Sequence, residues 1–523
     1  MCGFCGVSFF SENRYEELKS FGIELNANLK HRGPDAEGFL HNKINTNNLL
    51  FHQRLSILDI SEKGSQPMIS KNENFILCFN GEIYNHLELR KILDSTKKIK
   101  WNGHSDTETL IESFSTLGIK KTIDLVEGMF AFALLDKVDS KLYLGRDLFG
   151  EKPLYYFNNK KEIIFSSELH NVNKEFFNID QKAIDQFLHY NYVPNSSCIY
   201  ENWKKVNPGE VIVFDKNYNK KLYYDLRVDI QDKKLKLKTT NSEDSNLKKQ
   251  FDKTFTKVIK ETLVADVDVG IFLSGGIDSS IVASYASRWD KNLSTFSIGI
   301  KGNKDYDESF NAERIAKFLN TNHETFFVAN NEIIENIENS IMSFDEPFAD
   351  SSKVLTYILS KKVRKKIKVA LTGDGADELF GGYNRHVFAF YLKNLSKIFG
   401  KNFLEKNLFK YNLRLFFPVI KFILNNFYAY SDDKISKLKS IVKYNNENDL
   451  IDRIISNKNE YDKLKFDYLN SKLIEKIKFK NYHNFFETIM NCDIQNYLTD
   501  DILVKVDRSS MINSLETRAP FLN

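Results

Sequence analysis

Two hydrophobic rhythms divide the 523-residue chain. In its first part, short runs alternate apolar and polar positions, with turn residues between them. They predict strands at residues 49–51, 75–79, 130–136, 141–146, 154–157 and 162–166, because successive strand side chains face opposite ways. Helical spacing predicts helices at 15–29 and 108–116, which makes this part antiparallel and β-rich with a few helices. From about 228 to 246 the chain is polar and charged without apolar rhythm, as a linker would be. Beyond it the pattern changes. A helix at 247–262 precedes solid apolar runs at 267–273, 293–300 and 367–371, and helices at 281–288 and up to 319 alternate with them. Such alternation predicts a parallel sheet, whose ligands sit beyond the carboxyl ends of the strands. Residues 390–490 have helical rhythm but no legible chemistry. The expected organisation is a domain at 2–210, a connection at 211–246 and a second domain at 247–523.

Composition narrows the field. Lys and Arg number 74 against 70 Asp and Glu, so net charge points to neither a nucleic acid nor a membrane as partner. Five cysteines, unevenly spaced, make no disulfide framework, and the expected compartment is the cytosol. The apolar stretch 413–430 is broken by Arg414, Pro418 and Lys421 and reads as a buried or amphipathic helix.

The predicted strand at 267–273 runs into Ser274-Gly275-Gly276-Ile277-Asp278-Ser279-Ser280 and then into a helix. Adjacent glycines let backbone approach a phosphate, and the helix N-terminus favours an anion. The loop is not a Walker A motif, since no Lys follows its last Gly. Asp278 suits an anion cradle only if Mg²⁺ stands between it and the phosphate. The loop resembles the pyrophosphate-binding loop of ATP pyrophosphatases, which cleave ATP to AMP and pyrophosphate. Gly145 to Lys152 looks like a P-loop but has Glu151 after its second Gly, and is expected to be a structural turn.

Cys2 follows a removable Met1. The mature chain would then carry a thiol and an α-amine on one residue, and a partly neutral amine can serve as base for its own thiol. Cys2 and Cys5 also spell C-x-x-C, but no second pair completes a metal site. Polar clusters punctuate the strands: His31-Arg32-Gly33-Pro34-Asp35, Arg54-Leu55-Ser56-Ile57, Asn80-Gly81-Glu82-Ile83-Tyr84-Asn85 and Ser105-Asp106-Thr107-Glu108. With Cys2-Gly3 they resemble, in order and spacing, the glutaminase domain of class II glutamine amidotransferases. The resemblance implies an α+β Ntn-hydrolase-type fold of layered β-sheets, with Cys2 as nucleophile. It implies Arg54 on the glutamine carboxylate, Asp106 on the ammonium, Glu82 lining the same pocket, and an oxyanion hole of Asn80 and the Gly81 N–H. Taken alone, Asn80-Gly81 would read as a hairpin turn.

In the second part, Thr372-Gly373-Asp374-Gly375-Ala376-Asp377-Glu378 to Tyr383, Asp345 to Ser352 and Arg508 to Leu522 resemble the asparagine synthetase family. That family implies an α/β parallel-sheet domain of the adenine nucleotide alpha hydrolase type with added helices. It implies ATP at Leu273, Ser274, Gly275, Gly276, Asp278, Ser279, Ser280, Ile298, Gly373 and Asp374, and Mg²⁺ on Asp278 and Asp377. Asp374 stands where some members have Glu and Arg508 where some have a catalytic Lys, with Lys505 as the alternative cation. The implied substrates are glutamine, ATP and aspartate, with ammonia passing internally between the sites, and a homodimer is compatible. Members continue past the position of Asn523, so a shortened chain is expected. A sister amidotransferase acting on another carboxylate, such as a sugar acid in surface-polysaccharide synthesis, fits the same residues.

Overall fold

The structure, a computed structural model, describes residues 1–44, 46–170, 177–227, 244–302, 307–407, 441–456 and 485–523. The expected linker lies outside these from 228 to 243, as does the apolar stretch 413–430. Among the described residues no helix is long and apolar enough to cross a membrane.

In the first half the strands are β1 (Gly3–Phe9), β2 (Ala36–Ile44), β3 (Thr46–Arg54), β4 (Met68–Ile69), β5 (Phe75–Ile83), β6 (Gly128–Asp136), β7 (Lys141–Arg146), β8 (Tyr155–Asn158), β9 (Glu162–Ser166), β10 (Trp203–Lys205), β11 (Glu210–Phe214) and β12 (Lys220–Asp225). They make two six-stranded sheets, ordered β10-β8-β9-β1-β3-β2 and β12-β11-β7-β6-β5-β4. Every pairing within them is antiparallel. Phe4, Leu50 and Phe165 of one sheet meet Ile76, Ala131 and Leu144 of the other in a shared core. The helices Tyr15–Ala27 and Gln181–Tyr190 cover one outer face. His86–Thr96 and Asp106–Leu117 cover the other. Both faces of each sheet are therefore buried, which is why β3 is buried along its whole length although only Leu49-Leu50-Phe51 announce it. Its Asn48, His52 and Arg54 are hydrogen-bonded, so their burial is tolerated. The second sheet also runs past the expected boundary at 210, since β11 pairs with β7 and β12 with β11. Exposed edge positions such as Lys220 and Lys221 gave β12 the composition of a linker.

The second half is built on β13 (Val269–Phe272), β14 (Ser294–Ile300), β15 (Asn322–Val328), β16 (Val369–Leu371) and β17 (Glu516–Arg518). Their order is β15-β14-β13-β16-β17, and all pairings are parallel. The apolar middle strands are as hydropathy predicts. β17 reads Glu-Thr-Arg and is nonetheless fully buried. The two halves share a core in which Met1, Leu55 and Tyr84 touch Val369 and Met511. Beside it, Arg32 donates to Asp507 at 2.8 and 3.0 Å and also to Glu168.

Candidate active sites

Cys2 stands immediately before β1, and its backbone N–H donates to Asn80 Oδ1 at 2.9 Å. Asn80 and Gly81 lie within β5, opposite Ala131 and Phe130 of β6, so the Asn-Gly pair is strand and not a hairpin turn. Gly81 is required there because a Cβ would lie 2.1 Å from the Met129 carbonyl oxygen. Because Asn80 Oδ1 is committed to Cys2, its Nδ2 is fixed on the other side, buried and without a hydrogen-bond partner among the described residues. Arg54 closes β3, and its guanidinium donates to the carbonyls of Asp59 and Ser61. Asp106 opens its helix behind the N-cap Ser105 and accepts the N–H groups of Ile83 and Thr107 at 2.9 and 2.8 Å. Met1, Cys2, Arg54, Gly81, Glu82 and Asp106 line one cavity of about 20 Å³, room for a water molecule. Met1 is a wall of this cavity, and its ammonium pairs with Glu516 of β17 at 2.5 Å.

The electrostatics of this pocket are those of desolvated groups. Burial pushes the Cys2 thiol up, although the N-terminal ammonium opposes it. Glu82 is held well above the usual carboxylate range by burial and by Asp106, with Arg518 pulling the other way. Asp106 is raised by burial, against the pull of His86 and two backbone N–H bonds. A buried thiol needs a local base to react, and buried carboxyls gain from an incoming ammonium.

The second site is a cavity of about 510 Å³ at the carboxyl ends of β13, β14 and β16. Leu273, Ser274, Gly276, Asp278, Ser279, Ile298, Gly373, Asp374 and Asp377 all line it. Ser274 and Ser279 hydroxyls are 3.0 Å apart, tying the loop to the helix Ile277–Ala286. Gly275 and Ser280 border a separate hollow on the outer side of the loop. Gly275 has φ +83° and packs so near Asn311 and Ala312 that a Cβ would lie 2.8 Å from each. Glu378, Tyr383, Ser352 and Lys505 also line the large cavity, and of these the sequence offers only Lys505 as a site candidate. Asp278 is raised by burial and then by the charges of Asp377 and Asp374, a repulsion that a divalent cation would relieve.

Arg508, expected where some relatives have a catalytic Lys, does not border this cavity. It is 2% exposed and clamped by Asp345 at 3.0 Å and Asp507 at 2.7 Å in the seam between the halves. Lys505, one helical turn earlier, is the cation that lines the cavity among the described residues, and its Nζ donates to Asp350 at 3.2 Å. Burial alone would lower the Lys505 ammonium, and Asp350 and Asp374 more than offset it. The Asp345 to Ser352 run is split in the same way: Asp345 accepts the Leu169 N–H and Glu346 pairs with Tyr155 and Lys205, all of the first half, whereas Ser352 reaches the cavity. The false P-loop is a turn closed by Asp147, which accepts from Phe149, Glu151 and Lys152 N–H groups.

Layered antiparallel sheets with Cys2 at the start of an inner strand, joined to a parallel sheet with two glycine loops, define a glutamine amidotransferase coupled to an ATP-using domain. Residues 1–224 match the family profile of the glutamine amidotransferase domain, and residues 250–523 match that of asparagine synthase. The glutamine-hydrolysing asparagine synthetase 1 of Bacillus subtilis is 31% identical over 100% of this chain and 79% of its own length. A putative glutamine-hydrolysing asparagine synthetase 2 of Methanocaldococcus jannaschii is 32% identical over 98% of both chains. The chain belongs to the asparagine synthase family.

Proposed function

We propose that the chain is a glutamine-dependent asparagine synthetase. The supporting observation is that relatives named for this activity align with nearly the whole chain, through both cavities. In the first site, removal of Met1 would leave the α-amine on Cys2, free to take the thiol proton. The sulfur attacks the side-chain amide carbon of glutamine. The Asn80 Nδ2 and the Gly81 N–H receive the oxyanion, for which an unpartnered buried donor is suited. Arg54 would hold the substrate carboxylate, and Asp106 with Glu82 its ammonium. Ammonia leaves, and water hydrolyses the thioester to glutamate.

In the second site an aspartate carboxylate oxygen attacks the α-phosphate of ATP, pyrophosphate leaves, and ammonia displaces AMP from the acyl-adenylate. The loop from Ser274 to Ser279 would cradle the phosphates, with Lys505 neutralising charge near Asp374. The charge repulsion around Asp278 fits a Mg²⁺ ion, which Asp278 and Asp377 would hold; bound there it would screen the leaving pyrophosphate. Among the described residues the compact metal-type triad is His31, Glu168 and His170, but Arg32 donates to Glu168 and Arg508 lies 3.6 Å from it, so it suits no cation. A small void lined by Glu151, Lys152, Asp374 and Arg518 shares Asp374 with the large cavity and reaches Arg518, 3.3 Å from Glu82 of the glutamine cavity, so it would suit the passage of ammonia. The test is a screen of carboxylate acceptors by AMP release with glutamine and ATP present. Aspartate is expected to stimulate most. Stimulation by a sugar acid and not by aspartate would favour the sister amidotransferase.

A further inference from the structure

We propose that Arg518, on a strand of the synthetase half, is a positioning residue of the glutamine site that acts through Glu82, and that its strand ties that site to the ATP loop. The proposal rests on the reading of Cys2 and Glu82 as glutaminase residues. Arg518 is 1% exposed. Its Nη2 lies 3.3 Å from Glu82 Oε1, which faces the glutamine cavity. Its Nε donates to Glu516 at 2.7 Å, and its Nη1 to the carbonyls of Thr262 and Val264, both at 2.8 Å. A guanidinium pinned by those three acceptors is fixed, so Glu82 meets a charge whose place is set by the second half. The carbonyl of the same residue accepts the Thr372 N–H at 2.9 Å. Thr372 begins the Gly373-Asp374 loop at the ATP cavity. One three-residue strand therefore touches both reaction sites, by side chain on one and by main chain on the other.

Glu82 needs this partner. The charged groups facing it are Asp106 from the neighbouring helix, Glu516 and Arg518 from β17, and, while Met1 is retained, the Met1 ammonium, which its removal would take away. Two of these are acids, and burial also favours a protonated Glu82. A protonated carboxyl cannot receive an ammonium as an ion pair. Arg518 favours the ionised form, so its loss would raise the pH at which Glu82 ionises.

Glutamine hydrolysis is measured against pH in wild type, R518Q, R518K and E82Q, alongside AMP release driven by ammonium salt. In R518Q the rise in KM for glutamine on the acid side is expected to set in at higher pH than in the wild type, with KM on the order of tenfold higher inside that window and recovering above it, and with a much smaller change in kcat. Ammonium-driven AMP release should stay near wild type. E82Q should raise KM with no such recovery. R518K keeps the charge and loses the fork, so its pH profile should remain at the wild-type position even if its stability drops. Equal loss of both activities in R518Q with an unmoved pH profile would overturn the proposal, as would a displaced profile in R518K or a wild-type profile in E82Q. Failure of the underlying reading has another signature: Cys2→Ala would go on hydrolysing glutamine.

Discussion

Asn80 shows how much one side chain can carry. Its Oδ1 holds the Cys2 backbone, and its Nδ2 is left buried and unpartnered. An idle buried donor costs about 1–3 kcal/mol of desolvation, and an oxyanion would repay it in the transition state. Asn80→Ala is therefore expected to lower kcat for glutamine hydrolysis by about a hundred- to a thousand-fold, while ammonium-driven AMP release persists. Steady-state assays of both activities on one preparation check this. Asp278→Asn should give the opposite pattern, with AMP formation lost and glutamine hydrolysis kept. For the first site the sequence offered a set of motifs in chain order, a thiol beside an amine, a guanidinium, an amide and two acids, and the fold brings Cys2, Arg54, Gly81, Glu82 and Asp106 to one cavity. The sequence left Arg508 and Lys505 both open because they sit one turn apart and are chemically alike. Their partners tell them apart: Asp350 for Lys505 at the cavity, Asp345 and Asp507 for Arg508 in the seam.

At the scale of elements, the glycine loops decide whether the large cavity, the proposed ATP site, exists. A Cβ on Gly373 would lie 2.8 Å from the Ser279 N–H nitrogen, so the loop after β16 can pack on the first turn of the helix Ile277–Ala286 only without a side chain. Gly373→Ala is expected to cut ammonium-driven AMP release by on the order of tenfold or more, since small displacements of positioning groups are costly. Glutamine hydrolysis should hold, and a thermal unfolding scan should show the fold retained. Apolar strands such as β13, β14 and β16 were visible because a parallel sheet covered on both faces demands continuous hydrophobic runs. β17 was not, because Glu516 and Arg518 are buried as partners of each other, of the N-terminus and of Glu82. Hydropathy records the charges and not the pairing. β12 was missed for the converse reason, being an edge strand with exposed lysines.

The whole molecule is held across its seam by ion pairs as well as by the shared core. Burial would raise Asp507, Asp345 and Glu168, but Arg32 and Arg508 more than offset it and hold all three below the usual carboxylate range. Groups with depressed folded values add stability above their unfolded pKa, about 4. That stability is lost as pH falls below it. Asp507→Asn should cost about 3–5 kcal/mol near neutrality, because Arg32 is left buried with one partner fewer. The difference should shrink in acid, as urea unfolding at two pH values would show. The account's central claim is that one chain makes ammonia at Cys2 and spends it at a separate ATP site. The most direct test is AMP release by Cys2→Ala with glutamine and with ammonium salt as alternative nitrogen sources. The account predicts that glutamine-driven release disappears while ammonium-driven release continues, most strongly at higher pH where more free ammonia exists. Persistence of glutamine-driven release in Cys2→Ala, or loss of both together, would contradict it.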